Sequence, residues 1–179
     1  MNVDDKEYTI ADIEALPEGE RAELIDGKMY MMASPTKIHQ KLLNYINMKF
    51  YNWIESNGGD CEEFIAPFAV YLDESKNYVE PDVLIVCDSD KLDDKGCHGA
   101  PDLVVEIVSP SSERMDYYIK LFKYRAAGVR EYWIVDSAKQ RVQVYDFENN
   151  DMAEYTFSDD VPVTIYKGKL TINISKLFE

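Results

Sequence analysis

Pro101-Asp102-Leu103-Val104-Val105-Glu106-Ile107-Val108-Ser109-Pro110-Ser111-Ser112, followed after one helical stretch by Tyr132-Trp133-Ile134-Val135, decides the architecture. Residues 103–108 form a short, nearly continuous apolar run rich in β-branched side chains, which suits a central strand buried on both faces. Ser109-Pro110-Ser111-Ser112 ends that strand and caps a helix. The helix is expected to present Met115, Ile119, Phe122 and Ala126 as its apolar face, with Gly128 as its C-terminal stop. Residues 132–135 are the next strand. Strand, helix, strand within so few residues is a right-handed crossover, so the two strands are expected to be parallel neighbours.

Working outward, Pro81-Asp82 introduces Val83-Leu84-Ile85-Val86-Cys87, a second apolar run and the expected neighbour of the first. Residues 88–99 between them read as a polar loop. Upstream, residues 63–66 and 68–72 look like one strand interrupted by Pro67, hence an edge or a bend. Ser34-Pro35 reads as an N-cap with proline at the first helical position. Behind it Ile38, Leu42, Ile46, Phe50, Trp53 and Ile54 recur at helical spacing until Asn57-Gly58-Gly59-Asp60. Asp26-Gly27 between residues 22–25 and 28–32 is a hairpin signal. Thr9 with Asp12 resembles a capping box opening a short helix closed by Pro17. Downstream, residues 141–145, 152–157, 161–166 and 169–174 add strands, with Lys167-Gly168 as a turn. The expectation is an α/β fold, a mixed β-sheet flanked by two main helices, in a single domain over residues 1–179.

Composition narrows the function classes. With 19 basic against 34 acidic side chains the net charge is −15, which argues against a broad basic surface gripping phosphates. A polyanion can still bind where the basic residues cluster and a metal supplies local positive charge. No stretch is long and apolar enough to span a membrane, and the opening Met1-Asn2-Val3-Asp4-Asp5-Lys6-Glu7 is unlike a secretory signal. Cys61, Cys87 and Cys97 are too few and odd in number for a disulfide framework, so a reducing cytoplasm is expected, with Cys87 a small core residue.

Glu106 needs explaining. An ionised carboxylate inside a central apolar strand costs several kcal/mol (roughly) unless it is paired or binds a metal. Either a salt bridge or a functional site would satisfy it. Asp82 begins the neighbouring run, so the two carboxylates can converge, and two that converge repel and recruit a cation. Few oxygen ligands with water suit Mg²⁺ or Mn²⁺, which would polarise a phosphodiester and activate water. Asp82 has a plainer reading as a strand-start aspartate after proline. Asp102 also follows a proline, but lies roughly 13 Å from Glu106 along the same strand, too far to share an ion.

The blocks Glu23-Leu24-Ile25-Asp26-Gly27, Ala33-Ser34-Pro35, Ala66-Pro67-Phe68, Glu80-Pro81-Asp82, Gly99 to Ser111, and Gly128-Val129-Arg130-Glu131-Tyr132-Trp133-Ile134-Val135-Asp136 resemble the Uma2 family of restriction endonucleases within the PD-(D/E)XK superfamily. The resemblance runs from about residue 8 to the C-terminus, and residues 99–136 carry its most specific part. It implies a restriction-endonuclease-like core, a divalent metal (Mg²⁺ or Mn²⁺) and DNA as substrate. Asp82 matches the Pro-Asp aspartate and Glu106 the acidic position. The superfamily lysine would fall at 108, where this chain has Val108; some branches supply it from the following helix, where Lys120 lies. A lysine there can orient water or stabilise developing charge, although Asp116 four residues earlier also makes Lys120 half of an ordinary helical ion pair. Glu23 is implied as a further metal ligand, or else is a solvent-facing residue beside the hairpin.

Other candidates carry less. His39 on the first long helix reads as a hydrogen-bonded surface residue. Cys97-His98 lacks a second pair at zinc spacing. Asp88, Asp90, Asp93 and Asp94 lack the glycine of a calcium loop and read as solvated. The thirteen tyrosines read mainly as core. Three functions follow: a metal-dependent DNA endonuclease, expected as a homodimer because two strands must be cut; a catalytically silent module that keeps the fold to bind a partner; and a metal hydrolase of a small phosphorylated substrate.

Overall fold

The structure, a computed structural model, describes residues 6–179; the acidic opening at residues 1–5 lies outside them. Thr9 caps a short helix α1 (Ile10–Glu14), with its amide and hydroxyl donating to Asp12 Oδ2 at 2.8 and 2.9 Å. The hairpin follows as β1 (Ala22–Ile25) and β2 (Lys28–Met31). Both turn residues have positive φ, Asp26 at 50° and Gly27 at 71°, the geometry that favours Asp-Gly between twisted strands. Helix α2 (Lys37–Asn57) starts later than expected: its N-cap is Thr36, whose hydroxyl accepts from the His39 amide, and Pro35 stands outside the helix.

Next come β3 (Glu62–Ile65), β4 (Val70–Tyr71), β5 (Tyr78–Val79) and β6 (Val83–Val86). The chain does bend at Pro67, and there it leaves one sheet for another. Residues 88–99, expected as a loop, contain a small hairpin of β7 (Leu92–Asp93) and β8 (Gly96–His98). The Gly96 position faces the Ala69 carbonyl, which a Cβ there would meet at 2.3 Å, so only glycine lets β8 lie on β4. Short strands of mixed polarity carry little periodic signal, which is why this second sheet was not legible. The four loop aspartates are exposed, as expected.

Strand β9 (Leu103–Ile107) is buried throughout. It leads to a π-helical segment, Met115–Lys120, that runs into α3 (Leu121–Ala127), and Gly128 closes the helix in the left-handed conformation. Then β10 (Glu131–Asp136) pairs parallel to β9, as expected, and β11 (Arg141–Asp146), β12 (Asp151–Thr156), β13 (Val161–Pro162) and β14 (Thr171–Ile172) finish the chain.

Two mixed six-stranded sheets result, ordered β12-β11-β10-β9-β6-β3 and β2-β1-β5-β4-β8-β7. The first is the centre. On one face Leu42, Ile46 and Phe50 of α2 pack against Val83, Ile85, Leu103, Val105 and Trp133. On the other, Leu84, Val104, Tyr132 and Ile134 meet Tyr124 of α3 and Ile25, Val70 and Val79 of the second sheet. The α/β expectation holds, with a second sheet added to the layer that α3 shares.

Two expectations are corrected. Met115 and Ile119 pack partly buried against the core as expected, but Phe122 is 73% exposed and Ala126 is exposed as well; the residues the helix buries fully are Asp116, Lys120 and Tyr124. An i→i+5 turn holds more residues than 3.6, so four-residue steps stay on one stripe and turn these polar groups inward. Cys61 and Cys87 form a disulfide. The antiparallel pairing of Glu62 with Val86 sets the two cysteines opposite each other, a proximity that 26 residues of separation hide. The bridge removes the cysteine argument for a reducing compartment; Cys97 is a buried free thiol.

Candidate active site

The pairing of Val83 with Val105 on antiparallel β6 and β9 puts Asp82, the residue before β6, beside Glu106. Alternation settles the face. Leu84 and Val86 point to the α3 side, as do Val104 and Val108, and Asp82 and Glu106 share their parity. The Ile107 amide donates to Asp82 Oδ2 at 2.7 Å, which fixes the aspartate against the strand that carries the glutamate.

Lys120 reaches the same place from the π-helical segment. Its ammonium lies 2.8 Å from Glu106 Oε1, 2.9 Å from Glu23 Oε1 and 3.8 Å from Asp116 Oδ1. Glu23 is a central residue of β1 and is buried, not solvent-facing; its Oε1 also accepts the Glu80 amide at 3.1 Å. The Tyr124 hydroxyl donates to Glu106 Oε1 at 2.5 Å, and Ser112 donates to Asp116 Oδ2 at 2.6 Å. Tyr132 donates to the Asp116 carbonyl at 2.9 Å, pinning the widened turn. The structure therefore gathers Asp82, Glu106, Lys120 and Glu23. Asp102 is engaged elsewhere, by the Cys87 amide at 2.7 Å and by Arg130 at 2.9 Å.

Two participants escaped the sequence reading. His39 is not a surface residue: it stands in the first turn of α2, partly buried, with Nε2 3.1 Å from Asp82 Oδ2. Asp116, seen only as a partner for Lys120, is 2% exposed and faces the cluster. Helical spacing from Lys120 could have pointed to Asp116. No sequence signal singles out His39.

Four carboxyl groups thus face one ammonium and one imidazole, and the electrostatics follow. Burial pushes the Glu106 carboxyl well above its ordinary range; Lys120 opposes this, while Asp116, Asp82 and Glu23 add to it. Burial likewise lifts Asp116 to about 6 against the pull of Lys120 and the Ser112 hydroxyl. Burial would strip Lys120 of its proton, but Glu106, Glu23 and Asp116 outweigh it and hold the ammonium. His39 loses by burial and gains more from Asp82, so its pKa is raised. The site is short of positive charge.

Free oxygens remain. Both hydrogen bonds to Glu106 fall on Oε1, so Oε2 has no protein partner among the described residues. Asp116 Oδ1 is buried without a hydrogen-bond partner. No group of three or more acidic, histidine or cysteine side chains among the described residues is gathered into a cage for an ion. The arrangement instead offers two neighbouring carboxylates, Asp82 and Glu106, at the floor of a cleft of about 680 Å³. Its walls are the loop after β2, the start of α2 and the Ser109–Ser112 turn. No helix among the described residues is long and apolar enough to cross a membrane.

Residues 8–170 match the Uma2 family, described as "Putative restriction endonuclease". An uncharacterized protein of Synechocystis sp. is 30% identical over 133 residues, covering 74% of this chain and 68% of that protein. A second from the same organism is 26% identical over 129 residues, 70% of this chain and 72% of its own length. Among solved structures, one described as a "putative nuclease belonging to DUF820" from Anabaena variabilis superposes with a TM-score of 0.77, covering 95% of this chain and 97% of that one at 20% identity. At that identity the likeness is one of fold.

Proposed function

The chain belongs to the Uma2 family, and from that membership we propose that it is a divalent-metal-dependent nuclease hydrolysing phosphodiester bonds of DNA. One observation carries the reading: Asp82 and Glu106 lie side by side on one face of the central sheet, at the floor of a cleft whose buried carboxyls outnumber its cations. Mg²⁺ and Mn²⁺ bind through one or two carboxylates and keep most of their waters, so two free-edged carboxylates suit them better than a closed cage would. The orphaned Asp116 Oδ1 and the raised carboxyl of Glu106 also suit added positive charge. Asp82 and Glu106 would hold the ion, with the Ile107 carbonyl and Glu23 beside them. When bound, it would polarise the phosphodiester and lower the pKa of a coordinated water.

The chain's own groups do the rest. Lys120 is anchored by Glu23 and Glu106 with its charge intact, so it can hold the attacking water or offset charge growing on the phosphate oxygens. Glu23 and Asp116 fix that ammonium, and Tyr124 holds the Glu106 side chain. His39 orients Asp82. Val108 is buried in the core, so the lysine missing from that position is supplied by the helix in this reading. Cutting both strands of a duplex would need two copies, and a cytoplasmic setting would give access to nucleic acid.

The test is Mn²⁺-dependent cleavage of DNA by the wild type, Asp82→Ala and Glu106→Ala, with Ca²⁺ as the comparison ion. Cleavage in Mn²⁺ that both substitutions abolish is the expected result; cleavage untouched by either defeats the assignment. A second reading, a silent module retaining the fold, is favoured by the Lys120 ammonium, which is already paired with Glu106 and Glu23. A wild type that cuts nothing in Mg²⁺ or Mn²⁺ would support it.

A further inference from the structure

We infer that the cleft takes an unpaired nucleic-acid strand, seating its bases on an apolar wall of methionine and tyrosine, and that an intact double helix does not reach the reactive floor. This rests on the nuclease reading above and names its substrate more narrowly. Depth comes first. Glu106, Asp116 and Lys120 are 4%, 2% and 5% exposed, so the reacting phosphate must travel down into the cleft. A duplex offers its phosphates on a stiff cylinder, whereas a flexible single strand can lower one phosphate into a pocket.

Charge comes second. The cationic and imidazole side chains that line the cleft are Arg21, His39 and Lys120, and each already faces a carboxylate: Glu80, Asp82, and Glu106 with Glu23. None is free to grip a row of backbone phosphates, and a chain of net charge −15 adds no long-range attraction. Duplex binding that ignores sequence depends on such contacts. A single strand adds base stacking to whatever phosphate contacts remain, because every unpaired base offers an apolar face.

The wall is the third observation. Strand β2, an edge of the second sheet, and the loop after it bring Tyr30 and Met32 to the cleft, and Met115 and Pro35 also line it. Tyr30 pairs with Glu23 across the hairpin, so the aromatic ring stands next to a carboxylate of the floor. Met32 continues the alternation on that face, its amide donating to the Arg21 carbonyl at 2.9 Å, whereas Met29 and Met31 take the opposite face of the strand. Thioether and phenol surfaces are polarizable and adaptable, which suits stacked bases of any sequence. An unpaired strand also needs only one cut, which removes the need for two copies.

The experiment uses the whole chain and a fluorescein-labelled oligothymidylate, free or annealed to its complement, with anisotropy in Ca²⁺ and cleavage in Mn²⁺. The single strand should bind about tenfold or more tighter than the duplex. Met32→Glu should erase most of that preference, and Met32→Phe should keep it, with unchanged melting temperatures showing that both variants fold. Equal affinity for duplex and single strand overturns the inference, as does a Met32→Glu protein that binds like wild type, even if duplex cleavage in Mn²⁺ persists. Single-strand binding without cleavage in any metal keeps this inference and defeats the nuclease reading. Hydrolysis of p-nitrophenyl phosphate with no oligonucleotide binding overturns both in favour of a small phosphorylated substrate.

Discussion

Glu106 and Glu131 lie on the same parallel pair of strands, where Glu131 stands beside Leu103 and Glu106 beside Ile134, and both are buried. Burial raises the carboxyl pKa of each. They face opposite sides of the sheet and are satisfied differently. Glu131 shares the α2 side with Trp133; its Oε1 accepts the Trp133 indole N–H at 2.6 Å and its Oε2 the Ile165 amide at 2.8 Å. Glu106 has both its hydrogen bonds on one oxygen, from Lys120 and Tyr124, and leaves the other toward a cleft. A buried carboxylate is therefore not in itself a site. Two oxygens taken by fixed donors make a structural brace; a spare oxygen among excess negative charge makes a place for a cation.

The contrast breaks most sharply in cleavage. Glu106→Gln or Asp82→Asn should lower the Mn²⁺-dependent rate at least about 10³-fold, roughly 4 kcal/mol of transition-state stabilisation. Glu131→Gln, assayed well below its melting temperature, should stay within a few-fold of wild type. Equal losses at both glutamates would erase the distinction. Stability should reverse the ranking. Glu131→Ala leaves an indole N–H and an amide buried and unpaired, a loss of about 3 kcal/mol, or a fall of roughly 6–12 °C for a chain of this size. Glu106→Gln should melt higher than wild type in metal-free buffer, because it removes a buried charge that has too few partners. Thermal denaturation of the two variants side by side decides it.

How much of this was written in the sequence follows the same divide. Glu106 stood out because apolar residues flank it within one strand, and Asp82 because it opens the next; strand pairing and alternation then brought them together. The crossover, the Asp-Gly hairpin and α2 were legible because their periodicity is long or their turn chemistry specific. Half of the helix face departs from expectation because the helix turns polar groups inward: Asp116, Lys120 and Tyr124 are buried where Phe122 and Ala126 were expected to be. Period alone cannot separate a polar face that meets a site from one that meets water. His39 and the Cys61–Cys87 bridge depend on contacts between distant segments, which local pattern does not encode. The second sheet is built from strands as short as Val70–Tyr71 and Tyr78–Val79, below the length at which alternation can be recognised.

A smaller effect tests the cation directly, without turnover. Mn²⁺ at about a hundred times its dissociation constant should stabilise the wild type by roughly 2.7 kcal/mol. Asp82→Asn should remove that gain, and Glu131→Gln should keep it. A melting temperature indifferent to Mn²⁺ in the wild type would mean that the charge deficit at the floor is met by protons alone.

Protons supply the last and smallest test. The Asp116 carboxyl titrates at about 6 in the folded protein against an ordinary 3.8, because burial outweighs Lys120 and Ser112. The folded state therefore holds this proton more tightly than the unfolded chain does. Its contribution to stability is complete below pH 3.8 and drains away as pH rises through 6. At pH 7 to 8 the wild type carries an ionised Asp116 that it would prefer to protonate, while Asp116→Asn carries none, and its amide oxygen can still accept from Ser112. The variant should thus melt higher at neutral pH, by on the order of 1–2 kcal/mol, and the gap should close as pH falls toward 4. Saturating Mn²⁺ should narrow the gap at neutral pH as well, since the ion supplies the charge that the proton otherwise brings. A gap that widens on acidification would show that Lys120 alone balances the cluster, and Glu106 would then be a brace like Glu131.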